Sequence, residues 1–108
     1  MKRGDIYVFV GKGDFSGKPR PGLIVQSDVF NETHLSITIC PITSVLTGHD
    51  RFRVALEPGG QSGLKRRSEV EIDKLQSVYR GRVRDRIGSA PDEAMIIVDE
   101  ILCAWLDL

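Results

Sequence analysis

The stretch Leu35-Ser36-Ile37-Thr38-Ile39-Cys40 alternates apolar and polar side chains from one end to the other. A period of two places alternate side chains on opposite faces of an extended chain, and β-branched residues such as Ile and Thr favour that conformation. The stretch therefore predicts a β-strand. Pro41 follows it directly and is expected to end the strand or to mark a sheet edge, because proline cannot donate to a β-ladder.

Further short segments of this type lie on both sides of that strand. They predict strands at residues 5–10, 22–26, 51–56, 68–72, 76–79 and 83–87, with a short continuation at 42–47. In the segment 51–56, one face carries Phe52, Val54 and Leu56, and the other carries Arg51, Arg53 and Ala55. Loops rich in glycine and proline separate these segments at 11–21 and 58–63, and a connection as long as the first is usually functional or mobile.

The C-terminal segment has a helical pattern instead. Residues 89–93 combine a serine that can cap a helix, an early proline and two acidic residues, which is typical of a helix start. Apolar residues then recur along more than one stripe at Met95, Ile97, Val98, Ile101, Leu102, Ala104 and Trp105. This predicts a helix buried on more than one side, by a sheet and by a second copy of the chain.

The composition limits the class of protein. The 108 residues fit one domain spanning 1–108. Fifteen basic and fifteen acidic residues cancel, which argues against a broad phosphate-binding surface but permits a local basic groove. The sequence contains no apolar run of about 18 residues, the length that a membrane-spanning helix needs. The N-terminus also lacks the apolar region of a secretory signal. These absences predict a cytoplasmic protein that does not engage membranes.

The positions of the cysteines and of the possible metal ligands argue against a structural disulfide and against a metal site. Cys40 and Cys103 lie far apart among apolar neighbours, which predicts two buried thiols rather than a disulfide. No group of His, Cys and carboxylate residues has metal-ligand spacing. We therefore expect neither a metal nor another cofactor.

Three ordered motifs resemble a known family. Arg3-Gly4-Asp5-Ile6-Tyr7 opens the chain, Arg20-Pro21-Gly22-Leu23-Ile24-Val25-Gln26-Ser27-Asp28 follows the first long loop, and Pro41-Ile42-Thr43-Ser44 ends the next strand. With Ile72-Asp73-Lys74-Leu75-Gln76-Ser77-Val78 and the C-terminal helix, they resemble the MazF/PemK ribonuclease toxins over essentially the whole chain. The resemblance implies a mainly β fold with a C-terminal helix, an SH3-like small barrel of the MazF/PemK/CcdB type, usually as a homodimer.

The resemblance also implies an activity and its residues. It implies sequence-specific, metal-independent cleavage of single-stranded RNA (mRNA) to 2′,3′-cyclic phosphate and 5′-hydroxyl ends, with inhibition by a MazE/PemI-like antitoxin. The family's catalytic arginine matches Arg20, and its catalytic threonine or serine matches Thr43, with Ser44 beside it. Many members carry a glutamate in the first loop. The nearest carboxylate here is Asp14, which aligns only after a one-residue shift.

These residue types suit a reaction in which RNA supplies its own nucleophile. The guanidinium of Arg20 matches phosphate oxygens in a bidentate way, and the hydroxyl of Thr43 can donate a hydrogen bond to one of them. Without the resemblance, Arg20 reads as a solvated loop cation and Thr43 as an ordinary strand residue. The general base stays open: Asp14 suits if burial raises its pKa, whereas His34 and His49 are expected to be exposed loop residues.

Several residues are candidates for RNA binding. Lys65 and Arg66 follow the second glycine-rich loop, Lys18 precedes Arg20, and Phe15 in the first loop can stack on a base or pack on the barrel. An alternating row follows in Arg80, Arg82, Arg84 and Arg86, of which Arg80 and Arg82 are expected to contact RNA. The alternative for these cations is a solvated face balanced by Glu69, Glu71 and Asp85.

Two rival functions remain at this stage. CcdB-like toxins share the fold, bind DNA gyrase and cut nothing, and they lack the pair formed by Arg20 and Thr43. A plain SH3-like interaction domain would display an aromatic-lined groove for proline-rich peptides, but the six Phe, Trp and Tyr residues other than the first-loop Phe15 are scattered.

Overall fold

The computed structural model describes residues 1–10 and 18–108. In these two ranges the strands are β1 (Asp5–Phe9), β2 (Arg20–Ile24), β3 (Ser36–Thr43), β4 (Arg53–Leu56), β5 (Ser68–Glu71), β6 (Gln76–Tyr79) and β7 (Val83–Ser89). The helices are α1 (Asp28–Asn31) and α2 (Asp92–Leu106), and 3-10 turns occupy Ile72–Lys74 and Arg80–Arg82. The predicted mainly β fold with a C-terminal helix is confirmed.

The sheet is antiparallel and is built around β3. Its strand order is β4-β5-β3-β2-β1-β7, and β6 pairs with β3 as well. One edge of β3 pairs with β2, whereas the other pairs with β6 up to Ile39 and with β5 from Ile42 onward. No pairing within the described ranges joins β4 to β7. The sheet is therefore an open, approximate barrel rather than a closed one.

Pro41 lies inside this internal strand, so the expectation that it ends the strand or marks an edge is wrong. The amide and carbonyl of Thr38 both face β2. By alternation, the backbone nitrogen of Pro41 faces the other edge, between the last residue paired with β6 and the first paired with β5. The missing N–H therefore costs no ladder hydrogen bond, and β3 continues to Thr43.

The two faces of β3 belong to two different apolar clusters. Ile37 and Ile39 point to one face, in a cluster with Phe9, Ile24 and Val78. Cys40 and Ile42 point to the other, in the larger cluster that also buries Leu23, Val54, Leu56, Val70, Ile72, Ala94, Val98 and Ile101. Since both faces are covered, β3 is fixed in position by packing as well as by its hydrogen bonds.

The C-terminal helix α2 buries only one side within a single chain. Ala94, Val98 and Ile101 are buried against the sheet. Other apolar residues of the helix stay exposed, namely Ile96, Ile97, Trp105 and Leu106. The expectation of burial on more than one side is therefore not met by one chain alone. The helix follows Pro91, which occupies the N-cap position without a side-chain hydrogen bond.

A buried cluster of charged side chains lies on the outer face of β4 and β5. The Arg53 guanidinium is 3.1 Å from Glu69, 3.2 Å from Glu71 and 3.9 Å from Asp73. Arg53, Glu69 and Glu71 have side chains only 8–11% exposed. Interpreting Glu69 and Glu71 as part of a solvated face is therefore wrong, because Arg53 on the neighbouring strand covers and pairs with them.

Glu69 also holds the segment that follows β3. Its carboxylate accepts hydrogen bonds from the Thr47 amide (3.0 Å), the Thr47 hydroxyl (3.1 Å) and the Gly48 amide (2.9 Å). Burial by itself would raise the pKa of Glu69, but these donors and the Arg53 guanidinium outweigh burial and lower that pKa. Glu69 thereby ties residues 44–50, which leave the end of β3, to the sheet.

Replacing Glu69 by Gln is expected to destabilise the fold in a pH-dependent way. Because the folded-state pKa of Glu69 lies below its ordinary value of 4.5, the stabilisation from its carboxylate is fully present above about pH 4.5. It is lost as the pH falls through the folded-state pKa. Urea denaturation should show the variant less stable than the parent at pH 7, with the difference shrinking in acid. The exposed Glu57→Gln is the control, and a pH-independent difference for Glu69→Gln would contradict this account.

A backbone contact between β7 and residues 57–63 yields a second prediction. A Cβ atom on Gly88 would lie 2.3 Å from the Gln61 carbonyl oxygen and 2.4 Å from that of Ser62. Gly88→Ala is therefore expected to cost about 1–3 kcal/mol of stability, as overpacking usually does, and to lower the melting temperature. Gly60→Asn is the matched control, because the space around Gly60 is open and Asn tolerates its positive φ. A parent-like melting temperature for Gly88→Ala would disprove the close approach.

Candidate active site

The pairing of β2 with β3 brings Arg20 and Thr43 together. Arg20 is the first residue of β2, so the strand begins two residues before its predicted start and Arg20 is not a loop residue. Gly22 pairs with Pro41, and continuing this register by two residues places Arg20 opposite Thr43. Residues directly opposite each other on antiparallel strands share a face. The register thus juxtaposes the two side chains that the resemblance assigns to catalysis.

Arg20 and Thr43 line a cavity of about 490 Å³. Ser44, Lys65 and Arg66 stand in the same wall. The other lining residues are Pro19, Pro21, Ile42, Val45, Gly63, Leu64, Ser68 and Ile87, so no acidic residue of the described ranges faces this space. We call it the basic cavity. It is the local positive site that a chain with zero net charge can still provide.

A second cavity, of about 480 Å³, adjoins the first and is also lined by Arg20 and Thr43. Arg53, Glu71 and Lys74 contribute both signs of charge to its wall, together with Pro41, Ile42 and Val45. We call it the mixed-charge cavity. Since Arg20 and Thr43 belong to both walls, they form a ridge between the two cavities.

The hydroxyl of Thr43 is oriented by its own backbone neighbourhood. The Val45 amide donates to Thr43 Oγ1 at 3.1 Å. A hydroxyl accepts with its lone pairs and donates with its proton, so this contact leaves the proton of Thr43 for a ligand. Val45, which the sequence did not single out, is 71% exposed and lines both cavities. It is therefore a third element of the ridge.

The structure separates the other predicted site residues into three groups. Lys65 and Arg66 lie with Arg20 in the basic cavity, and Lys18 is exposed just before β2. Asp14 and Phe15 lie outside the described residues. Neither cavity wall contains Arg80 or Arg82, whose roles in RNA binding therefore stay predictions.

The expected arginine row does not exist as a single strand face. Arg80–Arg82 is a 3-10 turn, so only Arg84 and Arg86 lie on β7. The Arg80 guanidinium donates to the carbonyl oxygens of His34 (2.9 Å) and Asn31. Arg80 therefore connects β6 to the segment between α1 and β3, which is a structural task.

The remaining nucleophile and base candidates lie away from the ridge. Cys40 is buried, and burial raises the pKa of its thiol to about 12. Cys103 is exposed, so the expectation of two buried thiols is wrong for that residue, which lies on an uncovered side of α2. His34 and His49 are exposed, as predicted, and the His49 ring stacks on Phe52 with centroids 5.0 Å apart.

Within residues 1–10 and 18–108, no group of three His, Cys, Asp or Glu residues is arranged to hold a metal ion. No helix in the same ranges is long and apolar enough to cross a membrane. That the site needs neither metal nor cofactor stays a prediction.

Sequence comparison places the chain among known toxins. Residues 2–106 match the model of the family described as PemK-like, MazF-like toxin of type II toxin-antitoxin system. The chain is 37% identical over 108 residues to the "Probable endoribonuclease MazF" of Mycolicibacterium smegmatis, which covers 100% of this chain and 98% of that protein. It is 27% identical over 105 residues to the "Endoribonuclease EndoA" of Bacillus subtilis, covering 94% and 90%.

Solved structures share the fold. The MazE–MazF complex from Deinococcus radiodurans (Form-III) superposes with a TM-score of 0.82 at 22% identity, covering 100% of this chain and 97% of that one. A mycobacterial endoribonuclease in complex with its cognate antitoxin gives 0.80 at 18% identity, covering 100% and 96%. The names of the relatives favour an endoribonuclease over the gyrase-binding alternative. With the Arg20–Thr43 ridge in place and the match spanning residues 2–106, the chain belongs to the PemK-like, MazF-like toxin family of type II toxin–antitoxin systems.

Proposed function

We propose that this chain is a cytoplasmic toxin that cuts single-stranded RNA, mRNA included, at specific sequences and without a metal ion, and that residues 1–108 act as one domain. The observation that carries the proposal is the ridge, where Arg20 stands opposite Thr43 between two cavities. The 37% identity to a protein named a probable endoribonuclease supports the same activity.

The ridge suits transesterification of RNA. The 2′-hydroxyl of one nucleotide attacks the adjacent phosphorus, the bond from phosphorus to the 5′-oxygen breaks, and a 2′,3′-cyclic phosphate and a 5′-hydroxyl result. Negative charge develops on the non-bridging phosphoryl oxygens, and donors already in place stabilise it. Arg20 supplies a guanidinium and Thr43 a hydroxyl proton for these oxygens.

The proton of the 2′-hydroxyl needs a separate acceptor. Arginine stays protonated in proteins, which makes Arg20 a charge stabiliser rather than a base. Asp14 is the nearest carboxylate to the family's glutamate in sequence and is the candidate for this role. Its place lies outside the described residues.

The basic cavity supplies phosphate contacts on one side of the ridge. Lys65 and Arg66 stand in its wall without a neighbouring acidic residue among the described ones, and Lys18 approaches from the start of β2. Cations placed in this way neutralise RNA phosphates and release counterions. Phe15, in the first loop, is proposed to stack on a base.

We expect Arg20→Ala to abolish RNA cleavage while the protein stays folded. Losing one preorganised donor for the transition-state charge costs on the order of 10²-fold or more in rate, whereas an exposed position contributes little to stability. The test incubates parent and variant with RNA in EDTA and identifies the fragment ends by mass spectrometry. The exposed Arg51→Ala, which removes the same charge outside both cavity walls, is the control.

Three results would reject this mechanism. They are full activity in Arg20→Ala, dependence of the parent on added divalent metal, and fragments that carry 3′-hydroxyl ends. An equal loss of activity in Arg51→Ala would reduce Arg20 to a general electrostatic contributor.

We also propose that two copies pair through α2 and that a disordered acidic segment of a MazE/PemI-like antitoxin folds into the basic cavity. The uncovered apolar residues of α2 support the pairing. The excess of positive charge in the basic cavity suits an acidic ligand that competes with RNA. Solved structures from Deinococcus radiodurans that share this fold contain MazF together with MazE.

Light scattering at micromolar concentration should therefore give about twice the chain mass of 12.0 kDa. Ile96→Asp combined with Ile97→Asp should shift the mass toward one chain, because it places two charges among the exposed apolar residues of α2. Glu100→Ala on the same helix is the control. A parent that is monomeric and fully active would disprove the pairing.

A further inference from the structure

We infer that the mixed-charge cavity is a subsite for one of the two nucleotides that flank the cut, that it takes a nucleobase with an exocyclic amino group, and that Glu71 selects this base. The inference rests on the proposed RNA cleavage at the Arg20–Thr43 ridge. It concerns a cavity in which the catalytic step uses Arg20 and Thr43 but not Arg53, Glu71 or Lys74.

The mixed-charge cavity adjoins the basic cavity at the end of β3. Alternation along β3 directs Pro41 and Thr43 to one face and Ile42 and Ser44 to the other. Pro41 lines only the mixed-charge cavity and Ser44 only the basic cavity, whereas Ile42, Thr43 and Val45 line both. A phosphate held at the ridge therefore has one cavity on each side. Consecutive nucleotides of a bound strand enter one cavity each.

The mixed-charge cavity is large enough for a nucleobase. The mixed-charge cavity holds about 480 Å³, which falls within the range of about 300–1,000 Å³ typical of small-molecule sites. Strand residues form most of its wall: Pro41, Ile42 and Thr43 on β3, Glu71 on β5, and Arg53, which pairs with Glu71 from β4. A planar base fits here against rigid strands rather than against loops.

Glu71 presents a hydrogen-bond acceptor to the mixed-charge cavity. The Glu71 side chain is only 10% exposed, and its Oε2 atom contacts Arg53 Nη2 at 3.2 Å and Lys74 Nζ at 3.1 Å. Within the described ranges no hydrogen bond is recorded to Glu71 Oε1. A carboxylate accepts and does not donate. The cations at Oε2 therefore orient the group while Oε1 serves as an acceptor for a ligand in the cavity.

Nucleobases with an exocyclic amino group suit this acceptor. Cytosine N4, adenine N6 and guanine N2 are amino groups that donate to a carboxylate, as cytosine N4 does to glutamate in direct readout. Uracil presents carbonyl oxygens at its exocyclic positions, and these oxygens repel the carboxylate. Lys74, 60% exposed at the rim, adds a mobile donor for the ring acceptor beside the amino group. Glu71 thus admits amino-bearing bases and disfavours uracil.

The basic cavity cannot make the same distinction. Its wall offers Arg20, Lys65 and Arg66 but no carboxylate among the described residues. Selection by an acceptor is therefore assigned to one side of the cut alone. A purely structural role for Glu71 is the competing explanation, since it shares Arg53 with Glu69 and Asp73.

The experiment compares cleavage patterns on a randomised RNA pool, with the 5′-hydroxyl ends identified by sequencing. The parent is expected to cut sites depleted of uracil at one of the two flanking positions. Glu71→Gln should raise the share of uracil there on the order of 10-fold, because the Gln amide donates to uracil O4. Every other position should keep its preference. Glu57→Gln, which removes the same charge outside both cavity walls, should reproduce the parental pattern.

Lys74→Gln provides a second variant that does not depend on the buried side of the cluster. It should weaken discrimination at the same RNA position as Glu71→Gln, and at no other. If Glu71→Gln fails to melt cooperatively, the pattern of Lys74→Gln decides.

Two results would overturn the inference. One is an unchanged pattern at both flanking positions in the folded variants. The other is an equal loss of cleavage at all sites, which assigns Glu71 a structural role. A parent that cuts no RNA would instead refute the proposed function. In that case fluorescence anisotropy decides the subsite: tighter binding of cytosine- than uracil-containing oligonucleotides, lost in Glu71→Gln, supports it, and equal binding refutes it.

Discussion

The double burial of β3 is the constraint on which the rest of the structure depends. The strand is paired on both edges and packed on both faces, and one of its edges changes partner from β6 to β5 at Pro41. Beyond that change β3 pairs with β5 through Ile42 and Thr43 and then ends. The Arg20–Thr43 ridge and the two cavities beside it lie at this end. The site is thus a consequence of where a rigid strand ends.

The buried charged residues beside the ridge are explained by the segment that they hold in place rather than by a gain in stability over apolar residues. Well-packed apolar residues often stabilise a protein as much as a buried ion pair does, because desolvation offsets the Coulomb gain. An apolar residue in place of Glu69, however, has no acceptors for the amides of Thr47 and Gly48. Those hydrogen bonds hold the segment that begins next to Thr43. The carboxylate therefore gives the site a fixed wall, which a loop packed only by apolar contacts lacks.

The sequence predicts the strands well, but it does not predict which side chains cover them or which of their edges are paired. Alternation over 35–40 and 51–56 reports local preference, and both segments are strands. The same alternation cannot tell that Arg53 covers Glu69 and Glu71, because that depends on pairing between distant segments. The expectation for Pro41 is wrong because the local sequence does not indicate which backbone groups of a strand face a hydrogen-bonding neighbour.

The candidate site shows the same division between local and long-range information. Arg20 and Thr43 were selected by resemblance, since nothing in their local pattern distinguishes them from an ordinary cation and an ordinary strand threonine. What the sequence lacked was the register that places them opposite each other. The arginine row failed at Arg80–Arg82, where a 3-10 turn interrupts the alternation. No sequence pattern singles out Val45, because its role depends on its place beside Thr43 in the walls of both cavities.

The distribution of charge explains how a chain with zero net charge can present a site for an anion. Much of its acidic charge is engaged internally: Glu69, Glu71 and Asp73 face Arg53, Asp5 pairs with Arg86, and Asp99 pairs with Arg3. The basic cavity, by contrast, contains cations and no carboxylate among the described residues. Charges separated by about 10 Å or more are largely screened at physiological salt. An approaching phosphate therefore responds to the charges within one cavity, and the total for the chain has little bearing on binding.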